Sequence, residues 1–420
     1  MSNNSSIPFW VAVLININIV VGSAFFLGAP QFCRLNGYLA PFVWIFCGTL
    51  LLPLVIVLSK LSRMYPTAGG LYIYSLKHLG SFWGFVSGWG YYVGAAAGNA
   101  VVLHGFSQQL QLFGFVSKLG ISSVAWDLIL VTFFTFLTLL NIKFLERIQI
   151  GLTIVKAVPM ILVLAVLPIL FNVNNLITAT PSIGGMIQTI PLALFAYIGV
   201  EACCAITDKI SDGQKNASRV ILISFALIVL IYSVLQFTIL CVSGAGSANP
   251  FFAVIPQLTN NQTLISWGNN VINLSIMASL IGGFYAMFYY NNWNLYAMGN
   301  ENSMLFSNKI TKINKAGSPW VCVFVQSVIV IIFLLVTTNI NYLMTMSDIG
   351  TVVTYMMSAL SFIVIFKKLW GYLAIVSCAL LVAINSQQLI NAGLIYVAPF
   401  LVVLLLGIVA HKLNRVMDGN

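Results

Sequence analysis

Three ionisable side chains sit where hydrocarbon would surround them: Lys156 in "LTIVKAVPMILVL", Glu201 in "FAYIGVEACCAI" and Asp348 in "MSDIGTVV". A charge at bilayer depth costs roughly 3 kcal/mol on insertion scales, so each is expected to face a partner or a wet cavity. Glu201 directly follows Gly199-Val200. Its carboxyl suits a proton carrier, a gate that binds freed backbone amides, or a cap on a half-helix beginning there. Lys156 lies too centrally for its stem to reach an interface, which points to pairing with an acid or donation to the carbonyls of a broken helix. Asp348 reads equally well as an acid near the outer surface. His104 has no evident partner and reads as an interhelical hydrogen-bonding histidine. The seven cysteines, at 33, 47, 203, 204, 241, 322 and 378, have no metal or redox spacing and read as small buried hydrophobes. No metal and no cofactor is expected.

Two interrupted helices would position this chemistry. "INIVVGSAFFLGAP" places Gly22-Ser23-Ala24 inside the first apolar segment, and Gly199-Val200-Glu201 stands at the centre of the sixth. Each half-helix of a broken span leaves N–H groups unpaired at one end and C=O groups at the other. Amides near Gly22, Ser23 and Ala24 suit a carboxylate, and carbonyls in both breaks suit an ammonium. An α-amino acid carries both charges on one carbon. Aromatic side chains complete such a site by closing over a ligand, and Phe195, Phe284 and Tyr91 are the candidates.

The elements around these breaks are membrane helices. Of 420 residues 60% are hydrophobic and only 6% charged, and the mean hydropathy is +1.00, more apolar surface than a soluble domain can bury. Twelve segments have the length needed to span a bilayer, at 8–32, 38–58, 82–112, 123–142, 148–171, 184–207, 218–242, 266–297, 320–338, 342–366, 369–387 and 392–413. The first is expected to be retained, since no Lys or Arg precedes it and no cleavage site follows. Taking alternate connections, basic residues from Lys60 and Arg63 to Lys412 and Arg415 fall on one side, and only Arg34 and Lys118 on the other. The positive-inside rule then puts both termini in the cytoplasm, which an even number of spans requires. The net charge of +10 reports topology, and no nucleic acid partner is expected. In span 3, Gly84, Gly88, Gly90, Gly94 and Gly98 form a stripe that lets helix backbones approach. "YPTAGG" marks a turn before an interfacial helix, and Asn261-Gln262-Thr263 fits a glycosylation pattern in an outer loop.

With breaks in spans 1 and 6, the chain divides into two sets of five that enter the membrane with opposite orientation. The expected fold is an all-α integral membrane protein: twelve transmembrane helices in a five-plus-five inverted repeat, with helices 1 and 6 broken. One membrane unit covers residues 1–420, with repeats at 8–171 and 184–366 and two appended helices at 369–413.

The chain resembles the amino acid–polyamine–organocation superfamily, and within it the bacterial basic amino acid/polyamine antiporter branch typified by the arginine/agmatine exchanger. The resemblance rests on Gly22-Ser23, "YPTAGGLYIY", "YYVGAAAGN", "FAYIGVE" and "NKAGSP". It implies the LeuT-like fold and a rocking, alternating-access cycle. It also implies that Ser23 and adjoining amides take the substrate carboxylate, while carbonyls from Ile19 and from Phe195, Ala196 and Ile198 take the amine. Asn99 and Tyr91 would line the site or its gate, and Glu201 would be the proton-linked carboxylate. Four positions depart from that branch. Ala24 stands where the family's Gly-Ser-Gly motif ends. Phe195 and Phe284 replace tryptophans of the arginine/agmatine exchanger, which weakens a guanidinium preference. Lys156 resembles the helix 5 lysine of sodium-independent relatives.

The sequence therefore predicts a sodium-independent secondary transporter of the cytoplasmic membrane. Its partners would be a small amino acid or amine and the lipid bilayer, with a homodimer left open. Exchange of cationic amino acids or related amines leads, and proton-coupled symport of neutral amino acids is the alternative. An enzyme would need a polar catalytic cluster, a channel would need charge rings, and ATP drive would need a phosphate loop. The sequence contains none of the three.

Overall fold

The computed structural model describes residues 7–65, 70–140, 142–177, 180–202, 204, 210–247 and 249–417. The described chain is all helical apart from one isolated main-chain bridge. In order, the helices are α1 (Phe9–Val20), α2 (Ser23–Asn36), α3 (Ala40–Met64), α4 (Gly70–Leu79), α5 (Ser81–Gln111), α6 (Gly114–Ser117), α7 (Ser123–Thr138), α8 (Ile142–Leu170) and α9 (Asn174–Ile177). They continue as α10 (Ile183–Tyr197), α11 (Gly213–Ser243), α12 (Ile255–Leu258), α13 (Gln262–Asn300), α14 (Ser307–Ile310), α15 (Trp320–Val336), α16 (Ile340–Phe366), α17 (Leu369–Ala392) and α18 (Leu394–Met417).

Among the described residues, seven helical stretches are long and apolar enough to cross a membrane, and four shorter apolar helices accompany them. The stretches facing outward carry large exposed apolar side chains, such as Leu405 and Leu406 in α18, as expected where lipid replaces water. α5 solves a different problem. Its glycines and alanines are almost entirely buried, so it is a central helix covered by protein.

The glycine stripe has a definite partner. A Cβ added to Gly94 would lie 2.8 Å from the Ser347 carbonyl oxygen, and one added to Gly350 would lie 2.7 Å from the Gly94 Cα. α5 and α16 thus touch backbone to backbone, a packing that only small residues permit. Around this crossing, α3 packs on α11, α16 and α17, and α5 packs on α13. The residue leading into α1 is tied down as well. Ile7 pairs in parallel with Ile210, and the Ser211 N–H donates to the Ile7 carbonyl at 3.0 Å.

The acids and histidine that sequence left without partners are deeply set. Asp348 is fully buried in α16, inside the bundle and away from any outer surface. His104 has a partner after all: its Nδ1 lies 2.6 Å from Asp127 Oδ2, and Gln108 Nε2 lies 3.0 Å from its other ring nitrogen. Asp127 was legible only as a residue near a span end; folding carries it inside α7, with no exposed surface.

Candidate functional site

The first interruption is short. α1 ends at Val20, the Val21 N–H still bonds the Ile17 carbonyl at 2.8 Å, and Gly22 is extended before α2 begins. The Ser23 and Ala24 amides therefore have no helical carbonyl one turn behind them. The Ser23 side chain lies outside the described residues. A Cβ on Gly22 would approach Ser279 Oγ to 3.0 Å and Lys156 Nζ to 3.7 Å, so glycine keeps this corner open.

The second interruption needs a glycine for its dihedral. α10 stops at Tyr197, and Gly199 adopts φ 107°, in the region where side-chain-bearing residues are strained. The Gly199 N–H donates to Glu201 Oε2 at 3.0 Å. The Tyr355 hydroxyl donates to the same oxygen at 2.7 Å, and the Tyr91 hydroxyl donates to Oε1 at 2.9 Å. Glu201 thus ties the second break to α5 and α16. Backbone amide binding, one of the roles open from sequence, is present, and the bridging between helices is an addition the sequence did not suggest.

Further polar side chains lace the breaks to each other. Lys156 Nζ donates to the Asn18 carbonyl at 2.5 Å. Asn16 Nδ2 donates to the Val200 carbonyl at 3.2 Å and to Ser224 Oγ at 2.6 Å. The Tyr232 hydroxyl of α11 lies 2.9 Å from the Val20 carbonyl and 3.1 Å from that of Ala196, the two half-helix ends. Ser279 is buried with a hydroxyl that has no hydrogen-bond partner among the described residues. Sequence reasoning missed Asn16, Tyr232 and Ser279. The asparagine in "LININIV" was a visible signal; Tyr232 and Ser279 gave none, being ordinary residues in apolar runs.

These elements enclose a cavity of about 290 Å³, at the small end of ligand pockets. It brings together Ile19, Gly22, Ala24, Tyr91, Lys156, Phe195 and Ile198 of the expected site, with Ser279, Gly282, Gly283, Ala286, Met287 and Tyr290 from α13. Among the described residues, Lys156 is the one charged residue of its lining, and no carboxylate lines it. Glu201 borders a second void of about 20 Å³ with Tyr91, Tyr290, Asn294 and Thr354, room for about one water. Tyr91 and Tyr290 line both spaces and so form the partition.

Three expected residues are not in the cavity lining. Phe284 is buried against Phe134 at 4.8 Å and Phe288 at 5.2 Å. The α13 face on the cavity runs Ser279, Gly283, Met287, Tyr290, and a residue one position after Gly283 is turned by about 100°. Asn99 is fully buried, with both amide atoms unpartnered among the described residues. It lies eight residues past Tyr91, which rotates it about 80° from the cavity face. Ala196 spends its carbonyl on Tyr232. Among the described residues no cluster of His, Cys, Asp or Glu could hold a metal ion.

Residues 7–415 match the family model described as amino acid permease. The chain is 25% identical to the serine/threonine exchanger SteT of Bacillus subtilis, over 84% of this chain and 81% of that protein. It is 23% identical to an arginine/ornithine antiporter of Latilactobacillus sakei, over 75% of this chain and 70% of the antiporter. It is 22% identical to the branched-chain amino acid permease BcaP of Bacillus subtilis, over 84% and 81% of the two chains.

Proposed function

The chain belongs to the amino acid permease family, and from that premise we propose a sodium-independent exchanger of neutral amino acids working by alternating access. One observation carries the choice of substrate: among the described residues, the cavity is lined by Lys156 and by no carboxylate. A cationic side chain would bring a second positive charge there with no acid to balance it, and such an uncompensated charge is a means of rejection. The sequence alone favoured exchange of cationic substrates, with proton-coupled symport of neutral ones as the alternative; the lining favours a neutral substrate. The names of the relatives cover hydroxylated, cationic and branched-chain substrates, so they leave this choice to the cavity.

The substrate carboxylate lies on the Ser23 and Ala24 amides at the start of α2, beside the unpartnered Ser279 hydroxyl. The ammonium takes the carbonyls of Ile19 and Ile198. This follows from use elsewhere: the carbonyls of Ile17, Asn18, Val20, Phe195 and Ala196 already accept other donors. The side chain lies against Phe195, Met287 and Tyr290. Lys156 supplies a fixed cation between α1 and α13, which removes the need for sodium. Glu201, held by Tyr91 and Tyr355, is the gate and the proton-linked group.

The surrounding fold is read as twelve spans with repeats at 8–171 and 184–366, two appended helices at 369–413, and both termini cytoplasmic. The contacts of α3 with α11 and of α5 with α13 support it, since each pair would be related by the repeat. Liposomes preloaded with unlabelled amino acids test the proposal. Labelled neutral amino acid should enter only when neutral amino acid is inside, with sodium without effect. Faster uptake of arginine or ornithine, a sodium requirement, or uptake into empty vesicles under a pH gradient would each overturn part of it.

A further inference from the structure

The described residues contain one ion pair, the buried His104–Asp127 contact, so Lys60, Lys367 and Lys368 have no carboxylate of the described residues within 4.0 Å. Other lysines and arginines also stand at helix ends. Lys60, Lys367 and Lys368 gather where α3, α16 and α17 meet. Lys60 is half-buried near the end of α3, its Nζ 5.8 Å from the centre of the Phe362 ring. The chain turns from α16 to α17 through Lys367, whose φ of 50° is a left-handed conformation uncommon for a lysine, and then Lys368. The first turn of α17 is drawn against the same ring, since a Cβ on Gly371 would lie 3.0 Å from Phe362 Cδ1 and 2.5 Å from Ile363 Cγ1. The Gly371 N–H donates to the Lys368 carbonyl at 3.0 Å, so Phe362 has Lys60 on one approach and, on another, the helix start that follows Lys367-Lys368.

Apolar surface continues outward from these cations. Val364, Leu369 and Tyr372 are more than half exposed, and Trp370 is 37% exposed. Uncompensated ammonium groups bordered by exposed aliphatic and aromatic side chains match a molecule with an anionic head and a hydrocarbon body. Free phosphate would use only the cations. A neutral phospholipid carries its own ammonium and gains little from three lysines.

We propose that the ends of α3, α16 and α17 form a headgroup site for an anionic phospholipid, with Lys60, Lys367 and Lys368 on the phosphate and Leu369 and Trp370 beside the glycerol and first acyl carbons. The turn at Lys367 keeps two of the three cations at the bilayer edge, where a phosphodiester lies.

The full chain in nanodiscs with spin-labelled phosphatidylglycerol or phosphatidylcholine tests this by the fraction of motionally restricted lipid. The wild type should favour phosphatidylglycerol, by about fivefold for each lysine fully engaged. The triple change Lys60→Gln, Lys367→Gln, Lys368→Gln should remove most of that preference, and Lys→Arg at the same positions should keep it. As a charge-matched control, Lys309→Gln, Lys312→Gln, Lys315→Gln should leave it in place. Equal loss in the control would show a diffuse effect of positive charge and overturn the site. An unchanged preference in the triple variant would overturn it too, as would displacement of the labelled lipid by inorganic phosphate. Wild-type transport of labelled substrate by the triple variant, or its thermal midpoint, establishes that it is folded, so loss of preference is not confused with misfolding.

Discussion

Glu201 receives three donated hydrogen bonds from three separate places: its own break, α5 and α16. Glu201→Gln keeps the size but replaces one acceptor oxygen by an NH2 donor, so at least one of Tyr91, Tyr355 or Gly199 then meets a donor. A lost hydrogen bond to a charged group costs about 1.5–3 kcal/mol, roughly tenfold or more in the population of the bridged state. The expected outcome is a transport rate down by about tenfold or more, a flattened pH profile, and substrate affinity within about threefold, because Glu201 does not line the main cavity. Counterflow rates against pH, beside equilibrium binding of labelled substrate, make the check. Unchanged rate and pH profile would remove Glu201 from the cycle. Much of this residue's importance was legible, since a lone acid after a glycine in a membrane span has few uses. Its two phenolic donors were not, because Tyr355 lies 154 residues away and only folding pairs them.

At the scale of elements, the two breaks and the glycine stripe carry the design. Gly350 and Gly94 meet through backbone, so Gly350→Ala would force its methyl to 2.6 Å from the Gly90 carbonyl oxygen. No rotamer can relieve that contact, and overpacking of this kind costs about 1–3 kcal/mol. The thermal midpoint in detergent should fall by a few degrees or more. Gly151→Ala, also within a helix but with nothing within 4 Å, should leave it equal or raise it slightly through helix propensity. A matching loss at both positions would mean that propensity, and not the α5–α16 contact, decides. The break positions were readable from the sequence because glycine carries a local conformational signal. The orientation of Phe284 and Asn99 was not, because it depends on helical phase. Counting from Gly283 and Tyr91 in steps of 100° would have turned both away from the cavity. Tyr232 and Ser279 stayed hidden for another reason: their partners are main-chain atoms and open space, which leave no pattern in side-chain chemistry.

For the molecule as a whole, the charge pattern is the most direct statement the sequence makes. Basic residues cluster on alternate connections, and the proposed topology places both ends of the chain on that side. A fluorescent protein fused to either terminus should fold and fluoresce in cells, and alkaline phosphatase fused at Gly120, in the connection bearing Lys118, should be active. Opposite readouts from the two ends would require an odd number of spans and would break the repeat. That the chain is a run of apolar helices could be read; among the described residues seven are long enough to cross a membrane and four shorter ones accompany them. Their packing could not, because α5 is less apolar than its neighbours yet the more completely covered by them.

The pairing of Ile7 with Ile210 joins the approach to α1 with the chain beyond the second break. Two segments strapped main chain to main chain behave as one lever, and displacing either pulls on the other. In the proposed alternating cycle, a doorway built this way would have one hinge stroke instead of two independent ones. States with a single leaf ajar would then be discouraged, and with them the leak of ions through a half-open passage.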